Sequence, residues 1–114
     1  MAEKDLRTKL IQKLNAVPSL DWEKRPGEMG LQFPIYVYTI GAFTFVLKTN
    51  KSGRDLNIYE ERNTQLVSQY RDIYPIYGDR GPGDISKIYD KIDKEIDEWE
   101  SQAQSRLENF LKKS

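Results

Sequence analysis

Met29-Gly30-Leu31-Gln32-Phe33-Pro34-Ile35-Tyr36-Val37-Tyr38-Thr39-Ile40-Gly41-Ala42-Phe43-Thr44-Phe45-Val46-Leu47-Lys48 is the stretch that decides the fold. Met29, Leu31, Phe33, Ile35 and Val37 are apolar at every second position, the period of a strand with one face buried. The intervening positions end in Tyr36 and Tyr38, so this reading turns an aromatic face outward. Gly41 after Ile40 permits a tight turn, and Phe43, Phe45 and Leu47 resume the alternation against Thr44, Val46 and Lys48. The pair reads as a hairpin, with a single bulged strand through Gly41 as the alternative.

Leu6, Leu10, Ile11 and Leu14 recur at helical spacing from about Ala2 to Asn15, and Pro18 lies just beyond. Leu20 and Trp22 alternate with Asp21 and Glu23 as a short strand that ends at Pro26-Gly27. On the far side, Asn50-Lys51-Ser52-Gly53 is a turn, and Leu56 and Ile58 alternating with Asn57 and Tyr59 give a fourth strand. Leu66, Tyr70, Ile73 and Tyr77 follow Asn63 at helical spacing, which predicts a short helix that Pro75 stops early. The glycine-rich loop 78–83 separates it from a last helix that Asp84 caps.

In that last helix Ile85, Ile88, Ile92, Ile96, Trp99, Ala103, Leu107 and Phe110 follow at spacings of 3, 4, 4, 3, 4, 4 and 3. Eleven residues in three turns keep the stripe nearly straight along the helix. The implied fold class is α+β: an N-terminal helix, a four-stranded antiparallel meander, a short helix and a long C-terminal helix, as a two-layer sandwich in one domain over residues 1–114. A helix of about 42 Å overshoots a sheet about 20 Å wide. Trp99, Leu107, Phe110 and Leu111 then need cover from the first helix or from a second copy, which predicts a homodimer unless the helix kinks near Ser101 or frays.

The 18 basic and 18 acidic side chains balance, so no global field draws in nucleic acid. Charge is nonetheless graded along the chain. Residues 1–16 carry Lys4, Arg7, Lys9 and Lys13 against Glu3 and Asp5, whereas residues 84–114 hold eight acids against six bases. Without cysteine or histidine the chain lacks disulfides, thiolate nucleophiles and the usual neutral-pH base. The start MAEKDLRTKL has no signal-peptide core, and no apolar run reaches membrane-span length, so a cytoplasmic protein without a membrane partner is expected.

The drawn registers place Tyr36, Tyr38, Thr44, Val46, Lys48 and Tyr59 on one sheet face, which is either a binding surface or second-layer core beneath a helix. Lys48, Lys51 and Arg54 cluster at a turn beside these aromatics, a weak pattern for phosphate contact with base stacking. Arg80 with Tyr77 extends the candidate set toward the glycine loop, although Pro82, Asp79 and Asp84 argue against an anion cradle there. Asp21 and Glu23, two apart on a strand, have the spacing to share a magnesium ion. The acid of an E-x-K nuclease triplet ending at Lys48 is Val46, however, and that metal site is incomplete.

The expected function is therefore a non-catalytic binding protein of adaptor, inhibitor, immunity or chaperone type, without a cofactor. It engages a protein partner through the tyrosine face or the last helix. The alternative is a binder of nucleotides or single-stranded nucleic acid through tyrosine stacking and the Lys/Arg turn, and the third is a metal-dependent or degenerate nuclease-like domain.

Overall fold

A computed structural model describes residues 3–27, 33–50, 53–60, 66–73 and 83–113. Helix α1 spans Glu3–Asn15, and a single 3-10 turn covers Ser19–Asp21. Strands β1 (Glu23–Arg25), β2 (Ile35–Ile40), β3 (Phe43–Asn50), β4 (Gly53–Glu60) and β5 (Leu66–Ile73) follow, then helices α2 (Asp84–Ser101) and α3 (Ala103–Lys113). The strands form one antiparallel sheet in the order β1-β2-β3-β4-β5. The α+β class holds, with five strands where four were expected.

The fifth strand replaces the expected short helix. Leu66 and Tyr70 are four apart, a spacing that fits a period of two as well as a helix. An edge strand leaves a row of backbone N–H and C=O groups unpaired, and residues 66–73 pair antiparallel with that edge of β4. Ile58 lies opposite Ser68 and Tyr59 opposite Leu66, so Val67 is the extra residue of a bulge. Tyr77, Pro75 and the glycine loop up to Pro82 lie outside the described residues.

The short strand expected from Leu20 begins only at Glu23. Asp21 N–H bonds to Pro18 O at 3.0 Å and Trp22 N–H to Ser19 O at 3.1 Å, which curls Leu20 and Asp21 into the 3-10 turn. The β2–β3 hairpin turns at Gly41, whose φ of +59° is the left-handed conformation that glycine adopts without steric penalty. The turn into β4 is closed by Asn50, whose side-chain Oδ1 accepts the Gly53 N–H at 2.9 Å.

One core joins α1, α2 and one face of the sheet. It contains Leu14 from α1, Trp22 from the segment before β1, Tyr36, Phe45, Leu47, Leu56, Ile58 and Tyr70 from the strands, and Ile85, Ile88, Tyr89, Ile92 and Ile96 from α2. The face assignment on β2 is the reverse of the sequence reading. Tyr36 pairs with Leu47 and Tyr38 with Phe45, so the tyrosines face the helices. Ile35 and Val37 project to the second face, where they too are buried. Phe33 is exposed, and Met29 and Leu31 lie outside the described residues.

The long helix is broken after Ser101. Ser101 Oγ donates to Glu98 O at 2.8 Å, a back-bond that bends helices. Gln102 sits at φ −93°, ψ 4° and bonds to Trp99 O three residues back, before Arg106 N–H reaches Gln102 O to restart the helix as α3. At its other end α2 is capped by the extended backbone of Gly83, with Asp84 as the first helical residue. Among the described residues no helix is long and apolar enough to cross a membrane.

Candidate functional site

The two leading tyrosines are internal. Tyr36 is 0% exposed, and its hydroxyl donates to Asp93 Oδ1 at 2.5 Å. Its ring meets Tyr89 edge-on with centroids 5.1 Å apart, and the Tyr89 hydroxyl donates to Pro34 O at 2.5 Å. Burial first, then the Asp93 carboxylate, pushes the Tyr36 phenol far above its ordinary range. Burial likewise raises Tyr89. Tyr38 is half-buried between Trp22 and Phe45, with ring centroids 5.3 and 6.4 Å away. These contacts make Tyr36 core and pack Tyr38 against it.

Arg54 belongs to the same internal set. It lies opposite Thr49 on the helix-bearing face, its guanidinium 4.0 Å above the Tyr89 ring and 2.9 Å from the Asp90 carboxylate. The expected cluster of Lys48, Lys51 and Arg54 is therefore divided. Lys48 projects to the opposite face, across from Asp55, and Lys51 lies outside the described residues, as do Tyr77 and Arg80. The register also divides the six-residue tyrosine patch: Thr44, Val46, Lys48 and Tyr59 share the second face without Tyr36 and Tyr38.

That second face holds a hollow of about 270 Å³ lined by Arg25, Pro26, Ile35, Val37, Val46, Lys48 and Tyr59. It brings together two of the sequence-proposed residues, Lys48 and Tyr59, and adds Arg25, which periodicity gave no reason to single out. Arg25 is held by Glu23 at 2.9 Å, and the hydrogen bond between them, then their opposite charges, lowers the glutamate pKa and raises that of the arginine. Glu23 is thus engaged on β1 while Asp21 sits in the preceding 3-10 turn, so the two do not form the same-side strand pair expected of a metal site. Farther along this face, Asp55 accepts from Arg71 at 2.8 Å and from Asn50 at 2.7 Å, a polar knot joining β3, β4 and β5.

A second hollow, about 330 Å³, opens where the start of α1 meets the sheet; Leu6, Leu10, Phe43, Phe45, Ile58, Val67, Ser68 and Tyr70 line it. No charged group lies among these lining residues.

The third candidate is α3, where no residue is buried. Leu107 is 57%, Phe110 67% and Leu111 61% exposed, and Trp99 at the end of α2 is 46% exposed. Arg106 stacks 3.6 Å over the Trp99 ring and donates to the Trp99 carbonyl, which fixes the indole across the break. All four residues expected to need cover are thus solvent-facing in the isolated chain. The radius of gyration, 16.4 Å, exceeds the roughly 13 Å of a compact chain of this length, and the longest dimension is 56 Å.

Comparison with protein-family models, curated proteins and solved structures finds no match to this chain.

Proposed function

We propose that this chain is a small non-catalytic protein-binding domain that docks through α3, with the sheet and the first two helices forming a two-layer sandwich that holds it. The observation that carries the reading is the amphipathic stripe of Leu107, Phe110 and Leu111 on α3, which contributes nothing to the core, continued by the exposed Trp99 at the end of α2. A stripe at i, i+3, i+4 spacing is the pattern by which a helix lies in an apolar groove. An adaptor, inhibitor, immunity factor or chaperone uses such a segment in the same way, and the tyrosine face drops out of the reading because Tyr36 is enclosed.

The test compares proteins captured from the native host by the wild-type chain and by Leu107→Glu/Phe110→Glu. The reading expects a specific protein on the wild type alone, confirmed by direct binding of the two purified components. Identical capture by both chains overturns it.

One observation favours a second reading, a nucleotide or single-stranded nucleic-acid binder: Arg25, Lys48 and Tyr59 meet at one hollow. Phosphate contacts weaken steeply with salt, whereas an apolar helix interface does not. Titration with ATP and with an oligothymidine at about 50 and about 300 mM salt distinguishes the two. Salt-sensitive binding that is lost in Lys48→Ala favours the second.

A further inference from the structure

We propose that the docking partner of α3 is α3 of a second copy, laid antiparallel. This rests on the docking reading above and names its occupant.

Charge is distributed unevenly along the helix that carries the stripe. Residues 95–100, just before the break, carry Glu95, Asp97, Glu98 and Glu100 and no base. Glu100 is held by Lys24 at 3.2 Å, while Glu95, Asp97 and Glu98 are exposed. Beyond the break the balance reverses: Arg106, Lys112 and Lys113 stand against Glu108, with both lysines exposed in the last turn. A parallel pair sets acid beside acid and base beside base along its whole length. An antiparallel pair sets the basic end of each helix on the acidic end of the other, and it also opposes the helix dipoles favourably.

The spacing of the apolar residues fits the same arrangement. A two-fold axis level with Ser105 places Trp99 beside the partner's Leu111 and Ala103 beside the partner's Leu107. In that alignment Asp97 and Glu98 are at the height of the partner's Lys113 and the partner's Lys112; at about 100° per residue Glu98 and Lys112 lie off the apolar stripe, so the attraction is between the charged ends and not between facing pairs. Ala103 is the small residue of the stripe, and its position opposite a leucine lets the two backbones approach closely. The contact is isologous, so it closes as a dimer and does not propagate into a fibre. Residues 97–113 of each copy span only about 25 Å of helix, which puts the association at the weak, concentration-dependent end.

Sedimentation of the full chain from about 10 to about 500 µM tests the proposal, a range that spans weak association. The wild type is expected to pass from monomer to dimer. Leu107→Glu/Phe110→Glu is expected to stay monomeric with an unchanged far-ultraviolet spectrum. Lys112→Glu/Lys113→Glu is expected to weaken dimerisation about tenfold or more, equivalent to about 1.4 kcal/mol, and adding Asp97→Lys/Glu98→Lys is expected to restore it. In a parallel pair that first charge reversal replaces one repulsion with another and changes little. A spin label on Lys113→Cys, the chain being cysteine-free, is expected to report about 25 Å between copies for the antiparallel pair, against about 10 Å for a parallel one.

A wild-type chain that stays monomeric throughout, a dimer indifferent to these substitutions, or the short label distance overturns the proposal. If the monomer still captures a different protein through α3, the docking reading stands alone. If α3 captures neither, both fall.

Discussion

The Tyr36 hydroxyl donates a 2.5 Å hydrogen bond to the Asp93 carboxylate, joining the start of β2 to the third turn of α2. Tyr89 packs edge-on against Tyr36, and Arg54, ion-paired to Asp90, lies over Tyr89. A face that periodicity alone turns toward solvent is thereby held against a helix by its own polar atoms. Hydrogen bonding removes most of the penalty for enclosing a phenol.

Tyr36→Phe keeps the ring and deletes the donor, leaving a half-buried carboxylate without its partner. A loss of about 1.5–3 kcal/mol is expected for a hydrogen bond to a charged group, measured by urea denaturation.

Alkaline pH probes the same contact. Both Tyr36 and Tyr89 titrate above the ordinary tyrosine range in the folded chain, so the unfolded chain loses these protons first. Their contribution is complete below about pH 10 and is lost as the pH rises beyond it, by about 1.4 kcal/mol per pH unit for each proton retained only in the fold. Thermal unfolding between about pH 9 and 11.5 is expected to show this fall. In Tyr36→Phe the slope should be shallower by one proton.

Core and projecting helix should separate in stability. Ile92 is 2% exposed in the core cluster, and Ile92→Ala is expected to cost about 2–5 kcal/mol. Leu107→Glu, on a helix with no buried residue, should stay within about 0.5 kcal/mol of wild type when measured at concentrations where the chain is monomeric. A large loss for Leu107→Glu under those conditions would show that α3 is part of the core.

At Gly41 a Cβ would meet nothing within 4 Å, so the cost of substitution is the left-handed backbone alone. Gly41→Ala is expected to destabilise by about 1–2 kcal/mol and Gly41→Asn by less, because asparagine tolerates this conformation. Chemical denaturation of the two variants checks the order.

Asp55 is 6% exposed and takes hydrogen bonds from Arg71 and Asn50. Asp55→Ala removes the acceptor common to three strands; a loss of about 1–3 kcal/mol is expected. Arg71 is half exposed and rehydrates, so the cost should fall short of that for breaking a fully buried pair. Comparison with Arg71→Ala in a double-mutant cycle measures the coupling.

Much of this architecture could be read from local pattern. Period-two alternation located β2, β3 and β4, the glycine at 41 placed the hairpin, and the eleven-residue repeat traced the apolar stripe through α2 and α3. The same repeat pointed to the solvent-exposed end at Trp99, Leu107, Phe110 and Leu111, because helical spacing records a face whether or not the core covers it. Local pattern failed where two solutions share a spacing. Residues 66–73 fit a helix or a strand, and only the unpaired edge of β4 selected the strand. It failed again where both sides of a strand are apolar: Ile35 and Val37 against Tyr36 and Tyr38 mark β2 as central without saying which side receives the helices.

The sequence by itself thus determined the α+β class, the hairpin and the amphipathic C-terminal stripe, since backbone sterics and side-chain periodicity act over a few residues. The tertiary structure alone decided that Tyr36 is core, that Arg54 and Lys48 part to opposite faces, and that Lys48 meets Arg25 and Tyr59 at one hollow. Those outcomes depend on strand register and on which acids of α2 come within hydrogen-bonding reach, relations between residues tens of positions apart that no local spacing encodes.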